Sequence, residues 1–193
     1  MNQQIIGITG KKFSGKDTTG EYLIDKYNYK RFAFADVIKD ICKTIFGFDD
    51  EQLHGNKKET VDEYWDTTPR ELLQFIGTDL FRNQIGTVLP KIGENIWVEV
   101  LKKKIIDRLK NNPDEKIVVT DVRFQNELQM IKDLGGCIVR INRTSEINIS
   151  NENSSNVHIS ESFIDDFAVD YDILNNGSLE DLHEKIINMS TKN

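Results

Sequence analysis

The sequence predicts an α/β fold with a mainly parallel five-stranded sheet. Three observations predict this class. Short apolar runs rich in β-branched residues recur along the chain, segments with helical periodicity separate them, and the first run leads into a glycine-rich loop. Strands that alternate with helices favour parallel pairing, because each crossover helix packs back onto the sheet. A chain of 193 residues is long enough for one domain with a full core.

The predicted strands are short and bounded by Gly, Asp or Asn, as expected of strands buried on both faces. They span residues 4–9, 31–34, 116–120, 137–141 and 170–174. In parallel sheets, ligands bind beyond the carboxyl ends of the strands. Polar residues follow four of these runs and are therefore expected at one edge: Thr9-Gly10, Asp36, Asp121 to Arg123 and Asn142-Arg143.

The predicted helices lie between the strands, at residues 17–27, 36–46, 69–85, 95–110, 123–134 and 178–189. The third has its leucines and isoleucines at helical spacing. Gly135-Gly136 is typical of a helix C-terminus, and Ser178 with Asp181 resembles a capping box.

Composition limits the function. A net charge of −7 argues against broad nucleic-acid binding, since proteins that contact the phosphate backbone carry a basic face. The sequence contains neither an apolar run long enough to span a membrane nor a signal peptide, so we expect a cytoplasmic protein. Cys42 and Cys137 lack metal-ligand spacing and are expected to be reduced core residues.

The strongest motif begins at the end of the first strand. Gly10 and Gly15 are five residues apart, Lys16 follows, and a helix-like segment comes next. This is the plan of a P-loop, whose backbone N–H groups and helix N-terminus hold a polyphosphate while the lysine reaches its outer phosphates. Asp17 stands where Ser or Thr normally follows the lysine, and the hydroxyl comes one place later, at Thr18.

Two interpretations of Asp17 remain open. It is either a solvated residue that interacts favourably with the helix dipole, or an active-site residue that helps to hold Mg²⁺ or contacts the acceptor. Thr18 can hold a phosphate at the start of the helix. Lys11 and Lys12 extend the positive loop, and Lys12 is expected to lie between the two reacting phosphates.

A second cluster runs from Asp121 to Glu127. An aspartate at the end of a strand near a P-loop often organises Mg²⁺ or a substrate hydroxyl. Arg123 could then neutralise phosphoryl charge in the transition state. The alternative is that Asp121 only caps a helix and that Arg123 is simply exposed.

A third cluster lies within the predicted helix 69–85. Arg70 and Gln74 are four apart and share a face. An arginine fork suits a monophosphate, and a glutamine amide suits the edge of a base. An amphipathic helix explains the leucines equally well, but not Gly77-Thr78-Asp79 within it. Trp97 is either a base-stacking residue or part of the core.

Residues 143–162 are polar and lack sustained periodicity. They are either a disordered surface loop or a lid that closes over the nucleotide and excludes water. The apolar strip in residues 72–89 either pairs two subunits, giving a homodimer, or fills the core.

Several short motifs, taken in order, carry a resemblance to a known family. They are Gly10 to Gly15 with Lys16-Asp17-Thr18, Ile38-Lys39-Asp40, Leu73-Gln74 with Gly77-Thr78-Asp79, Trp97, Asp121 with Arg123, His158-Ile159-Ser160-Glu161, and residues 175–180. This ordered set resembles the deoxynucleoside monophosphate kinases of large DNA phages and viruses. Two departures are Phe13, where relatives can have a basic residue, and the short region between Gly47 and Thr68.

The resemblance implies a three-layer P-loop NTPase fold and Mg²⁺·ATP-dependent phosphorylation of deoxynucleoside monophosphates (dNMPs). It implies one kinase domain with a core at 1–48 and 114–193, a helical substrate-binding region at about 49–112 and a lid at about 143–162. The residues expected to bind ATP are Lys11, Phe13, Ser14, Gly15, Lys16, Asp17, Thr18, Thr19 and Arg143, with Asp17 and Thr18 nearest the metal.

The acceptor site is expected to use basic, polar and aromatic residues from several segments. The resemblance implies Lys12, Lys39, Arg70, Gly77, Thr78, Trp97, Asp121, Arg123 and Glu127, to which we add Ile38, Gln74 and Gln125. Lys16, Lys12, Asp17 and Arg123 are the expected catalytic residues. Two alternatives remain. One is a P-loop kinase for dephospho-coenzyme A or phosphomevalonate, in which Asp36 is a candidate base. The other is a non-catalytic nucleotide-binding module.

Overall fold

The sheet of this protein has five parallel strands in the order β2-β3-β1-β4-β5. The computed structural model describes residues 3–90, 92–143 and 164–189. The strands are β1 (Ile5–Thr9), β2 (Tyr29–Phe32), β3 (Lys116–Val119), β4 (Cys137–Asn142) and β5 (Tyr171–Leu174). The α/β fold with a parallel five-stranded sheet is thus confirmed.

The helices follow the predicted alternation with the strands. They are α1 (Lys16–Tyr27), α2 (Phe34–Phe46), α3 (Asp50–Leu53), α4 (Pro69–Gln74), α5 (Ile85–Val88), α6 (Ile96–Asn111), α7 (Gln125–Asp133) and α8 (Leu179–Met189). A π-helical segment, Phe75–Gln84, joins α4 to α5, and 3₁₀ turns lie at Asn56–Glu59, Gly93–Asn95 and Ile164–Asp166. None of the helices in the described part of the chain is both long enough and apolar enough to cross a membrane.

The chain divides into two compact units, Met1–Ala33 with Lys102–Asn193, and Phe34–Leu101. We call them the sheet unit and the helical unit. The boundaries expected from the sequence, near 48 and 113, differ from this division. Helix α2 belongs to the helical unit, and the greater part of α6 belongs to the sheet unit.

The sheet unit has helices on both faces of its sheet. Side chains alternate along a strand, so Ile6 and Ile8 of β1 share one face, where Leu23 of α1 and Ile186 of α8 complete a buried cluster. Gly7 points to the opposite face, and a methyl group on it would lie 2.6 Å from Ile131 Cδ1 of α7. The layers are therefore helix, sheet and helix, as the resemblance implies.

Strand β2 begins two residues earlier than the sequence predicts. The predicted bounds, 31–34, are wrong because Ala33 and Phe34 do not belong to the strand. These two apolar residues are buried where α2 begins. Tyr29 is the buried residue that starts the strand, and its position pairs with Lys116 of β3. Lys30 and Arg31, between Tyr29 and Phe32, are both exposed, as expected of a strand at the edge of a sheet.

The predicted helix 69–85 is regular only as far as Gln74. It then widens into the π-helical segment. The carbonyl oxygen of Gly77, within that segment, accepts a hydrogen bond from Trp97 Nε1 at 2.7 Å. Such π turns occur where another group enters the hydrogen-bond ladder of a helix. The periodicity of the leucines could not predict this long-range contact.

The helical unit has its own small core of Cys42, Phe48, Leu53 and Ile76. Cys42 and Cys137 are both buried and free, which confirms the expectation of reduced core thiols. Burial raises the pKa of the Cys42 thiol to about 11 and that of Cys137 to about 12. Both thiols therefore remain protonated at neutral pH.

Candidate active site

The loop between β1 and α1 has the backbone of a phosphate cradle. Three of its residues have positive φ angles: Gly10 (155°), Phe13 (65°) and Gly15 (101°). Phe13 adopts this region although it is not glycine, and its side chain is exposed. Turns of this kind direct successive N–H groups into a concave anion site, and here the N-terminus of α1 adds its dipole.

Gly10 lies against the sheet so closely that no side chain fits there. A Cβ atom on Gly10 would lie 2.5 Å from the carbonyl oxygen of Ile141 and 2.6 Å from Ser14 Oγ. Strand β4, which contains Ile141, therefore supports the loop from behind. The first glycine of the motif is needed for this close approach as well as for its φ angle.

Two hydroxyl groups at this loop are buried without a hydrogen-bond partner among the described residues. They are Thr9 Oγ1, at the end of β1, and Ser14 Oγ, within the loop. Buried hydroxyl groups are normally hydrogen-bonded, and a buried hydroxyl without a partner lowers the stability of the fold. Their presence, together with the space that only glycine leaves at Gly10, fits a loop that accepts a phosphate.

Three lysine side chains belong to the loop and the first turn of α1. Lys16 Nζ lies 3.8 Å from an Asp17 carboxylate oxygen, and its side chain is only 14% exposed. Lys11 forms an ion pair with Asp165. Lys12 Nζ lies 5.0 Å from the centre of the Phe13 ring. The sheet unit thus concentrates positive charge on a loop of a chain whose net charge is −7.

Asp17 and Thr18 offer hard oxygen ligands at the start of α1. The Asp17 side chain is 80% exposed, whereas Thr18 is half-buried. Among residues 3–90, 92–143 and 164–189 there is no cluster of three or more His, Cys, Asp or Glu side chains that could hold a metal. Mg²⁺ typically uses one or two carboxylates together with phosphate oxygens and water. The donors at the loop therefore fit a magnesium ion that arrives with a nucleotide.

The segment after β3 is tied to the neighbouring strands by its backbone. The N–H of Thr120 donates to the carbonyl of Phe32, and the N–H of Val122 donates to the carbonyl of Ile8, both at 3.1 Å. Asp121 and Arg123 are half-buried in this segment. Asp121 is not the N-cap of α7, since that position belongs to Phe124. The alternative in which Asp121 only caps a helix is therefore wrong.

Glu127 is buried in α7 and holds this segment in place. Its carboxylate Oε2 accepts from the backbone N–H of Arg123 at 2.8 Å and from that of Phe124 at 3.2 Å. Only 2% of the residue is exposed. The resemblance implies that Glu127 lines the acceptor site, whereas in the structure its carboxylate bonds to the backbone at Arg123. Gln125, at the start of α7, is exposed.

In the helical unit, Arg70 lies in the first turn of α4. Thr68, the N-cap, and Glu71 form a capping box on either side of Arg70 in the sequence. Hydrogen bonds from the Thr68 backbone, the Thr68 hydroxyl and the Thr67 hydroxyl lower the pKa of Glu71 below its ordinary value. The Arg70 guanidinium forms an ion pair with Glu59. Arg70 is thus held at a defined place by a short, capped helix.

Other residues predicted for the acceptor site, in the helical unit, make contacts within that unit. Lys39 Nζ lies 3.1 Å from His54 Nδ1 and donates to it, because an ammonium group has no acceptor. Ile38 packs on Gly77, where a methyl group would lie 3.0 Å from Ile38 Cδ1. Gln74 and Thr78 are half-buried.

Trp97 is a core residue and not a stacking platform in this structure. It is 2% exposed, its Nε1 donates to the carbonyl of Gly77, and its ring centre lies 4.9 Å from that of Phe81. A buried indole with a satisfied N–H cannot present its face to a base. Of the two alternatives for Trp97, the structure supports the core residue, and the hydrogen bond of its indole to Gly77 holds the π-helical segment.

A further polar residue, absent from the predicted site residues, contacts the loop. Asn175, directly after β5, donates from its Nδ2 to the carbonyl of Ser14 at 2.9 Å. Two sequence signals point to it: Asn175 follows a strand on the edge where ligands bind, and it begins the 175–180 motif of the family resemblance. Arg143 is exposed after β4. The remaining residues of the predicted lid, 144–162, lie outside the described residues.

The fold is shared with a solved kinase structure. Dephospho-CoA kinase from Campylobacter jejuni superposes with a TM-score of 0.52 at 14% sequence identity, covering 98% of this chain and 96% of that one. At this identity the likeness concerns the fold alone.

Comparison of sequences identifies the family, which the shared fold alone does not. A protein of Acanthamoeba polyphaga mimivirus named "Putative deoxynucleotide monophosphate kinase" is 37% identical over 187 residues, which are 95% of this chain and 94% of the relative. The deoxynucleotide monophosphate kinase of Enterobacteria phage T4 is 23% identical, covering 96% of this chain and 98% of the relative. A family model described as "Deoxynucleotide monophosphate kinase" matches residues 4–65 and 43–186. The chain belongs to the deoxynucleotide monophosphate kinase family.

Proposed function

We propose that this protein transfers the γ-phosphoryl group of ATP to the 5′-phosphate of a deoxynucleoside monophosphate, giving ADP and the diphosphate. The observation that carries this proposal is the loop between β1 and α1. It combines positive φ angles at Gly10, Phe13 and Gly15 with three lysines, in a chain of the deoxynucleotide monophosphate kinase family.

The donor side of the reaction belongs to the sheet unit. The loop N–H groups and Lys16 hold the β- and γ-phosphates of ATP, and the buried hydroxyl of Ser14 can donate to a phosphate oxygen. Asp17 and Thr18 would hold Mg²⁺, which neutralises charge on the phosphates when bound. Lys12, which follows Lys11 in the loop, can interact with the transferring phosphoryl group.

The acceptor is recognised by basic and amide side chains. The Arg70 fork binds the acceptor phosphate, with Lys39 as a second positive charge, and Gln74 reads a base edge. Arg123 neutralises the charge that develops on the phosphoryl group, and Glu127 fixes the backbone from which Arg123 projects.

This reaction needs positioning and electrostatic stabilisation more than a covalent nucleophile. The two cysteines are unsuited to nucleophilic catalysis, because both are buried and burial raises their thiol pKa values. Direct in-line transfer is therefore the mechanism that the described residues support best.

Two alternative functions remain to be compared with this proposal: a kinase for another acceptor, and a protein that binds nucleotide without catalysis. A kinase for dephospho-coenzyme A or phosphomevalonate would share the donor loop, and a non-catalytic module would bind nucleotide without turnover. The named relatives favour dNMPs over the other acceptors.

A panel of acceptors, read as ADP release in the presence of Mg²⁺ and ATP, separates these functions. The panel contains dGMP, dTMP, dCMP and dAMP, their ribose counterparts, dephospho-coenzyme A and phosphomevalonate. We expect release with one or more dNMPs. Release with another acceptor but with none of the dNMPs would overturn the proposal, and so would ATP binding without release on any acceptor.

A further inference from the structure

Asn175 connects the far end of the sheet to the phosphate loop. It directly follows β5 and is buried, with 9% of its surface exposed. Its backbone N–H donates to the carbonyl of Asn142 at the end of β4, which fixes it to the sheet. Its side-chain Nδ2 donates to the carbonyl oxygen of Ser14 at 2.9 Å. Residues 161 positions apart are thus joined by a side-chain hydrogen bond.

The orientation of the Asn175 amide follows from chemistry. A carbonyl oxygen can only accept, so the group that faces Ser14 must be the NH₂ end of the side chain. The contact is also steric, since a Cβ atom on Gly15 would lie 2.4 Å from Asn175 Nδ2. Asn175 and the loop are therefore packed together as well as hydrogen-bonded.

This hydrogen bond fixes a peptide plane of the loop. In a trans peptide, which is the form found throughout the described chain, the Ser14 carbonyl and the Gly15 N–H point in opposite directions. When Asn175 holds the carbonyl on its own side, the N–H of Gly15 must point away from Asn175. Gly15 has a φ of 101°, and glycine gives this peptide little intrinsic resistance to flipping. An outside hydrogen bond is a direct way to prevent the flip.

We propose that Asn175 is a positioning residue for the ATP site, which keeps the Ser14–Gly15 peptide oriented so that the Gly15 N–H donates to a donor phosphate. The proposal rests on the ATP-binding role of the loop proposed above. Asn175 itself need not contact the nucleotide. Its effect is expected on nucleotide binding and not on acceptor binding.

The test compares two Asn-to-Asp substitutions at neighbouring positions. In Asn175→Asp the side chain keeps its size but loses its donor, and its oxygens repel the Ser14 carbonyl. Asn176→Asp adds the same charge one residue later, at an exposed position. Binding of Mg²⁺·ADP is measured by calorimetry, and KM is measured for ATP and for the dNMP.

We expect Asn175→Asp to bind Mg²⁺·ADP at least tenfold more weakly and to raise the KM for ATP to a similar extent. The KM for the dNMP should stay within twofold, and Asn176→Asp should bind Mg²⁺·ADP within about twofold of the wild type. In ¹⁵N NMR spectra, Mg²⁺·ADP should shift the Gly15 amide signal of the wild type but not that of Asn175→Asp. A lowered melting temperature with unchanged Mg²⁺·ADP affinity would overturn the proposal and leave Asn175 a purely structural residue.

Asn175→Ala gives a second version of the test, because it removes the donor without adding charge. If Asn175→Asp does not fold, a loss of Mg²⁺·ADP affinity in Asn175→Ala supports the proposal, and affinity within twofold of the wild type overturns it. The wild type is tested first for Mg²⁺·ADP binding and for dNMP turnover. Failure of turnover with intact binding would refute the proposed reaction but not the role of Asn175.

Discussion

The carboxylate of Glu127 accepts a hydrogen bond from the backbone N–H of Arg123, with 2.8 Å between oxygen and nitrogen. The same oxygen also accepts from the N–H of Phe124. Burial of a carboxylate without hydrogen-bond donors would destabilise the fold, whereas here two backbone N–H groups donate to it. The position of Arg123 therefore depends on a residue one helical turn later.

Glu127→Leu should separate this positioning role from substrate contact. Leucine offers no acceptor, so the N–H groups of Arg123 and Phe124 lose their hydrogen bonds, and the free energy of unfolding should fall by about 1–3 kcal/mol. Through the displaced Arg123 segment we expect kcat to fall about tenfold, with the KM for ATP unchanged. Asp133→Asn removes a charge from the exposed end of the same helix and serves as the control. Stability loss without any change in kcat would contradict the role given to Glu127.

Gly10→Ala should damage the phosphate loop directly. The new methyl group would meet the Ile141 carbonyl and Ser14 Oγ, so the loop must move, and we expect Mg²⁺·ADP affinity to fall by more than tenfold. Gly47→Ala is a matched control, because Gly47 also has a positive φ, of 72°, but a methyl group there would meet no described atom within 4 Å beyond its chain neighbours. That variant should lose about 1 kcal/mol of stability and keep its affinity. Equal affinity losses in the two variants would contradict the steric argument.

Arg70→Ala should weaken acceptor binding. We expect the KM for the dNMP to rise at least tenfold and the KM for ATP to stay the same, because a charge-assisted fork to the acceptor phosphate is lost. Arg108→Ala removes another arginine that is paired with a glutamate, Glu115, and should leave both constants unchanged. If Arg70→Ala raises the KM for ATP instead, the assignment of Arg70 to the acceptor is wrong.

The capping box of α4 makes a pH-dependent contribution to stability. Its hydrogen bonds lower the pKa of Glu71 from an ordinary value of 4.5, so the folded state binds the proton less tightly than the unfolded state does. The contribution is present above pH 4.5 and is lost as the pH falls through the folded-state pKa. The melting temperatures of the wild type and Glu71→Gln should therefore differ at pH 7, and the difference should shrink as the pH falls below 4.5. A constant difference across this range would contradict the argument.

The parts of the fold that depend on local sequence were predictable. The strand, glycine loop and helix that begin the chain occur as predicted, because turn glycines and apolar periodicity act over a few residues. The capping box of α8 is also confirmed, since the Asp181 carboxylate accepts from the Ser178 N–H at 2.8 Å. Such features need only neighbours in the chain to form.

The parts that could not be predicted depend on distant contacts. Trp97 is buried and donates a hydrogen bond to the carbonyl of Gly77, twenty residues earlier. Asn175 donates to the carbonyl of Ser14, 161 residues earlier. Glu127 was expected at the acceptor site, whereas its carboxylate bonds to the backbone of Arg123. Sequence spacing identifies polar residues at an edge of the sheet, but it does not distinguish a ligand-contacting side chain from one that supports it.

Transfer of radioactive phosphate from γ-labelled ATP tests the central claim most directly. Wild type and Lys16→Ala are incubated with Mg²⁺, labelled ATP and each dNMP, and the products are separated by chromatography. Lys26→Ala, at the other end of α1, is the control. We predict labelled deoxynucleoside diphosphate with the wild type and Lys26→Ala, and at least a thousandfold less with Lys16→Ala. Absence of labelled diphosphate from the wild type with all four dNMPs, or undiminished transfer by Lys16→Ala, would contradict the account.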